Sequence, residues 1–145
     1  MFDTDTSTLD ADATLTEAAS VQTTANLVEA RRLQIAAHWA DLHPGDAVPE
    51  SRLPGREHPV RLGGDGTTTV ADFAPAELGC VLRISDGSAA RLIADALDLR
   101  HRLRSIWGAA LAGQVPAYQA RRIASATGTS PPRRRHGSMR SWHPP

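Results

Sequence analysis

The stretch Ala76–Ala112, AELGCVLRISDGSAARLIADALDLRHRLRSIWGAALA, decides the fold class. Ala76, Leu78, Val81 and Leu82 recur at helical spacing and predict a short helix with one apolar face. Ile84-Ser85-Asp86-Gly87 interrupts it, and Ser85 or Asp86 is placed to cap a second helix by accepting a bond from an unpaired backbone N–H. Leu92, Ala96, Leu99, Leu103, Ile106 and Ala110 follow at steps of 4, 3, 4, 3 and 4, a single buried stripe flanked by Ile93, Leu97, Trp107 and Leu111.

Helix, short turn, helix is also the plan of helix-turn-helix DNA readers. In that reading Ile84 sits at the turn, and Ser88 and Arg91 begin the helix that meets DNA. The turn position usually held by Gly carries Arg83. An ordinary αα-hairpin explains the same pattern without DNA.

Working outward toward the N-terminus, Val21, Val28, Ile35 and Leu42 recur every seven residues, with Ala25 and Trp39 between them and Arg32 at an inner position. Thr14-Leu15-Thr16-Glu17 has the form of a capping box, so the expected helix runs from Thr14 to just before Pro44. Its stripe suits packing on its own domain or, alternatively, a homodimer through the Val21–Leu42 helix. Residues 1–13 are acidic, rich in Thr and Asp and without period, and are expected to be disordered.

Residues 43–72 carry Pro44, Pro49, Pro54, Pro59 and five Gly, and read as a loop or linker with little structure. Gly63-Gly64-Asp65-Gly66 is not a phosphate loop, because that chemistry needs a Lys and the chain has none. Thr67–Val70 has the composition of a short strand but no evident pairing partner. Beyond the central stretch, Gly113 and Pro116 punctuate the chain before a last helix, Pro116–Thr127, with Ala117, Ala120, Ile123 and Ala124 inward and Arg121-Arg122 exposed. Residues 128–145 have no period and read as a disordered basic tail. The expectation is therefore an all-α protein: disordered acidic residues 1–13, a helical domain over 14–127, and the tail.

The chain of 145 residues has 41% hydrophobic residues and only six aromatics, so its core must be built from Ala, Leu, Ile and Val. All sixteen basic residues are Arg, which points to GC-rich coding. Net charge is zero, yet residues 1–30 hold six acids and no base, while nine Arg and no acid follow Asp98. Such asymmetry attracts polyanions and makes duplex DNA the expected partner. Arg83, Ser88, Arg91, Arg100, Arg102, Arg104, Arg121 and Arg122 are the candidate nucleic-acid contacts, with Arg100 and Arg104 one helical turn apart. Each phosphate neutralised releases a counterion, so binding should weaken steeply with salt.

Cys80, the only cysteine, is expected to be a buried small hydrophobe, and a single thiol excludes an internal disulfide. His38, Asp41 and His43 cluster at a helix end without a fourth ligand, so neither a metal site nor a cofactor is expected. Asp95 and Asp98 are expected to form weak surface pairs with nearby Arg. No nucleophile elbow, HExxH or paired-carboxylate motif is present. No secretion signal or apolar run long enough for a membrane is evident, and the expected location is cytoplasmic.

Three segments, EARRLQIAAHWADLH, GGDGTTTVADFAPAELGCVLRISDGSAARLIADALDLRHRL and IWGAALAGQVPAYQARRIA, closely resemble domain-of-unknown-function family 222, the actinobacterial 13E12 repeat family. The resemblance spans Glu29 to Thr127 and is most specific at DALDLRHRL, Asp95–Leu103, followed by Trp107 and Ala120-Arg121-Arg122-Ile123-Ala124. It implies an all-helical domain that precedes an HNH endonuclease module, and so a DNA-processing context. Family members usually carry Pro after the residue matching Leu103; Arg104 stands there, so one continuous helix is allowed. The similarity stops after Thr127 and no HNH motif exists in the chain, so no catalytic residue carries over and no enzyme activity is expected. The mixture of Arg, Pro, Ser and His that follows suits either a basic tail that tracks phosphates or GC-rich codons read out of frame, the product of a truncated gene.

Overall fold

The computed structural model describes residues 3–50 and 53–128. Five helices dominate: α1 (Ala11–Leu42), α2 (Ala74–Leu82), α3 (Asp86–Arg102), α4 (Arg104–Leu111) and α5 (Ala117–Gly128). The chain is all-α with a long N-terminal helix, as its periodicities predict.

Helix α1 starts earlier than the capping box indicates. Asp10 is its N-cap, accepting from the Ala13 N–H at 2.8 Å. The Thr14 hydroxyl instead donates back to the Asp10 carbonyl at 2.7 Å. Residues 6–8 form a 3₁₀ turn capped by Asp5, so part of the stretch expected to be disordered is ordered. Pro44 follows the end of α1; of the expected tail over 128–145, Gly128 is the last residue of α5 and residues 129–145 lie outside the described residues.

The face that α1 buries is not its heptad stripe. Ala30, Leu33, Ala36, Ala37 and Ala40 are buried, whereas Val21, Val28, Ile35 and Leu42 are 41%, 54%, 45% and 59% exposed. Alanines let the α1 backbone approach the bundle closely, and that close approach, not the bulk of the branched residues, selects the inward face. From Ala11 to Glu29 no residue of α1 is buried. At about 1.5 Å per residue that is roughly 28 Å of helix, although Leu27 within it still approaches Gly113 just past α4.

Helix α3 is the central element, with Leu92, Ile93, Ala96, Leu97 and Leu99 buried against α1, α2 and α5. Ser85 is its N-cap, accepting from the Ser88 N–H at 3.1 Å. The stripe Leu92–Ala110 does not ride on one helix: Leu103 (φ −123°, ψ 51°) breaks it, even with Arg104 where proline would force the break. The Leu103 N–H reaches the Asp98 carbonyl, five residues back, and α4 starts on a new axis. Leu103, Ile106 and Trp107 still pack on the core, so the apolar pattern survives the kink.

Helix α2 and α3 form the expected hairpin, with Arg83 between them in the left-handed conformation (φ 55°, ψ 43°). The α2 face differs from expectation. Leu78 and Gly79 are buried, but Val81 is 78% exposed and Cys80 is an exposed free thiol. An ideal Cβ at Gly79 would stand 3.0 Å from the Ile84 carbonyl oxygen, so α2 and the turn pack closely at the glycine.

The Pro/Gly-rich segment is more ordered than its composition indicates. Residues 45–47 form a 3₁₀ turn, and β1 (Pro59–Val60) pairs antiparallel with β2 (Val70–Ala71). Val70, with Pro59–Val60 as the missing partner strand, is fully buried in the core. Among the described residues, no helix is long and apolar enough to cross a membrane.

Candidate nucleic-acid interface

The eight polar residues picked out by the sequence divide into three groups. The first is consumed by internal pairing. Arg100 makes a two-pronged ion pair with Asp41 at 2.7 and 2.5 Å, fastening α3 to the end of α1. Arg102 donates to Asp98 at 3.0 Å and reaches the Thr127 carbonyl at 3.4 Å. These side chains hold the bundle together, so Arg100, Arg102 and Arg104 do not form one free basic row.

The second group consists of isolated positions. Arg83 is exposed at the α2–α3 turn, and Arg104 is exposed at the start of α4. Ser88 is committed to the cap of α3, its hydroxyl 2.9 Å from that of Ser85.

The third group forms a site. Arg91 on α3 and Arg121 and Arg122 on α5 line a cleft of about 520 Å³ together with Asp95, Tyr118, Ser125 and Ala126. Arg121 donates its Nε to Asp95 at 2.8 Å, and the Ser125 hydroxyl donates to the other oxygen of the same carboxylate at 3.1 Å. Neither Arg91 nor Arg122 has an ion-pair partner among the described residues. Three arginines therefore line the cleft with one carboxylate, which Arg121 alone of the three contacts. Tyr118, more than half exposed, continues the cleft into an adjoining hollow lined also by Gln119 and Ile123. Ile123 is 40% exposed, not inward as its spacing predicts. Guanidinium groups with an open aromatic face can hold phosphate and stack on a base.

The site was only partly legible. The sequence gives Arg91, Arg121 and Arg122 but neither joins them across 30 residues nor singles out Tyr118. The signal for Tyr118 is its position one turn before Arg122, on the same helix face.

The two aspartates of the DALDLRHRL stretch differ from the expected surface pairs. Asp95 is 7% and Asp98 5% exposed. Asp98 accepts from Arg102 and, at 2.8 Å, from the Gly64 N–H, docking the glycine turn onto α3. An ideal Cβ at Gly63 would stand 2.8 Å from Thr67 and 3.2 Å from Asp98, so the turn packs too tightly there for a side chain. The Gly63–Gly66 cluster is thus a docking turn for a buried carboxylate.

At the end of α1, His43 places Nδ1 3.0 Å from the Trp39 carbonyl, and Asp41 is taken by Arg100. No group of three or more His, Cys, Asp or Glu that could hold a metal occurs among the described residues. Burial, then the positive charges of Arg100 and Arg104, hold the His101 imidazolium below its ordinary pKa, with Asp41 opposing them. The Arg100 hydrogen bond holds the Asp41 carboxyl below its ordinary range, against a smaller opposing effect of burial.

The buried length of α3 limits what the hairpin can do. Between Leu92 and Leu99 every residue but Ala94 is buried, and Ala94 is half-buried. A helix so enclosed along its middle cannot lie along a major groove; only its first turns and its last residues are accessible. No protein-family profile, curated protein or solved structure matches the chain.

Proposed function

We propose that this chain is a non-catalytic module that binds or positions DNA by gripping phosphate in the α3–α5 cleft. The observation that supports this reading is the convergence of Arg91, Arg121 and Arg122 beside Tyr118, with two of the three guanidinium groups unpaired by any carboxylate among the described residues. Contacts of this kind orient a nucleic acid without reading its bases, in keeping with an enclosed α3 and with Ser88 spent on a cap. The resemblance to the DNA-processing family supports the same class of partner.

The test is fluorescence anisotropy of a labelled duplex across a salt series. Binding at about 20 mM salt that weakens linearly on a log–log scale is the expected result. Absence of binding at that salt removes the reading.

A second reading, a helical interaction module, is favoured by the exposure of the Val21–Leu42 stripe. An apolar seam is not weakened by salt, so the two readings separate in the same series.

A further inference from the structure

We infer that the α3–α5 cleft takes single-stranded DNA in preference to duplex, with one unpaired base laid on the Tyr118 ring in the hollow beside the arginines. This rests on the phosphate-gripping reading above and names the form of nucleic acid that the site selects.

Two hollows meet on α5. The basic one, of about 520 Å³, has Arg91, Arg121 and Arg122 around Asp95. The other, of about 430 Å³, is lined by Tyr118, Gln119, Arg122, Ile123 and Ala126. Tyr118, Arg122 and Ala126 line both, so the two form one continuous surface. Helical spacing explains the arrangement: Tyr118, Arg122 and Ala126 recur every four residues as one ridge, and Gln119 and Ile123 form the next. Ala117, Ala120 and Ala124 take the buried face, so α5 packs through small residues and turns the chain's one tyrosine outward. Tyr118 is 59% exposed and Ile123 40%. The Gln119 amide donates to the Tyr118 hydroxyl at 3.0 Å, engaging the ring at its polar end and not at its face.

Polarity then selects the ligand. Phosphate alone would use the arginines and leave Tyr118 and Ile123 bare, and an apolar ligand would leave the guanidinium groups unanswered. A nucleotide carries both halves, an anionic phosphate and a flat aromatic base, joined by one sugar. Arg122 and Tyr118 stand one helical turn apart, with Cβ atoms about 5–6 Å from each other. A phosphate and its own base can span that reach. In a duplex both faces of the base are stacked on neighbours, and a surface outside the grooves meets only the backbone. An unpaired strand offers the base, and stacking on an aromatic ring adds to the attraction for phosphate. Pockets for free small ligands enclose most of the ligand surface. Here Tyr118, Arg122, Ile123 and Ala126 are all exposed, which suits one segment of a strand that enters and leaves on either side.

The experiment is fluorescence anisotropy on the full chain at about 20 mM salt. The probes are a labelled oligothymidylate of about twelve nucleotides, within the span of such sites, and a blunt GC-rich duplex of the same length. The strand is expected to bind at least about tenfold tighter than the duplex. Tyr118→Ala should remove that advantage and leave duplex affinity unchanged, while Tyr118→Phe, which keeps the ring, should retain it. Helical circular dichroism should be unchanged in both variants, because Tyr118 is exposed. An abasic strand with the same phosphates should bind no tighter than the duplex. Duplex binding with no advantage for the strand overturns the inference and leaves the phosphate reading standing, whereas binding of neither removes both. An advantage that survives Tyr118→Ala, or that the abasic strand shares, does not come from stacking on Tyr118 and overturns the inference. Displacement of the strand by thymidine monophosphate at equal nucleotide concentration makes the site a free-nucleotide pocket and overturns it as well.

Discussion

Asp95 and Arg121, 26 residues apart in sequence, meet through a 2.8 Å hydrogen bond that ties α3 to α5 along the floor of the basic cleft. The carboxylate is buried while the guanidinium is about one-third exposed. The pair shapes the site twice: it fixes the spacing of the two helices, and it neutralises one arginine, while Arg91 and Arg122 have no carboxylate partner among the described residues.

Removing the carboxylate should therefore cost stability. Asp95→Ala removes the buried acceptor of the Arg121 Nε–H and opens a gap between the helices. The expected loss is about 2–4 kcal/mol, the lower figure reflecting the partial exposure of Arg121. Urea unfolding measures it, and a loss under about 0.5 kcal/mol would place Asp95 among ordinary surface pairs.

Arg83 offers the opposite sign. It closes α2 in a left-handed conformation that glycine adopts without steric cost. Arg83→Gly should stabilise the chain by about 1 kcal/mol, with the cost of a more flexible unfolded chain already subtracted. A lowered unfolding midpoint would mean that the Arg83 side chain makes a stabilising contact outweighing the relief of strain.

Acid should weaken the α1–α3 junction in two stages. The folded state holds the His101 imidazolium below its ordinary pKa of 6.5. The unfolded chain then binds more protons, and stability falls as pH drops below 6.5. Asp41 is likewise held below its ordinary 3.8, chiefly by Arg100. Its contribution is complete above 3.8 and is lost as pH falls from there through the lower folded value. Melting temperature followed from pH 8 to pH 3 checks both stages, and His101→Gln should remove only the first.

How much of this was legible in the sequence depends on range. The central hairpin, its Ser85 cap and the long first helix follow from local spacing and capping chemistry. The inward face of α1 does not: an Ala-rich chain hides its close-packing alanines, and the branched residues that draw the eye are the ones left outside. The break at Leu103 is invisible to periodicity, because the apolar stripe continues across it. The partner of Val70 lies ten residues upstream in a Pro-rich segment that reads as structureless. At the site, Arg121 and Arg122 were visible as charge, but their separation into one bound and one free side chain depends on Asp95, which sits on another helix.

Salt dependence measured on variants tests the central claim most directly. Counterion release gives a log–log slope of about −0.9 for each phosphate neutralised. Arg91→Ala with Arg122→Ala should reduce the magnitude of that slope by about two. Arg100→Ala, whose side chain is committed to Asp41, should leave it unchanged. An unaltered slope in the Arg91 and Arg122 variant, or a loss confined to Arg100→Ala, would contradict the assignment of the cleft as the phosphate-binding face.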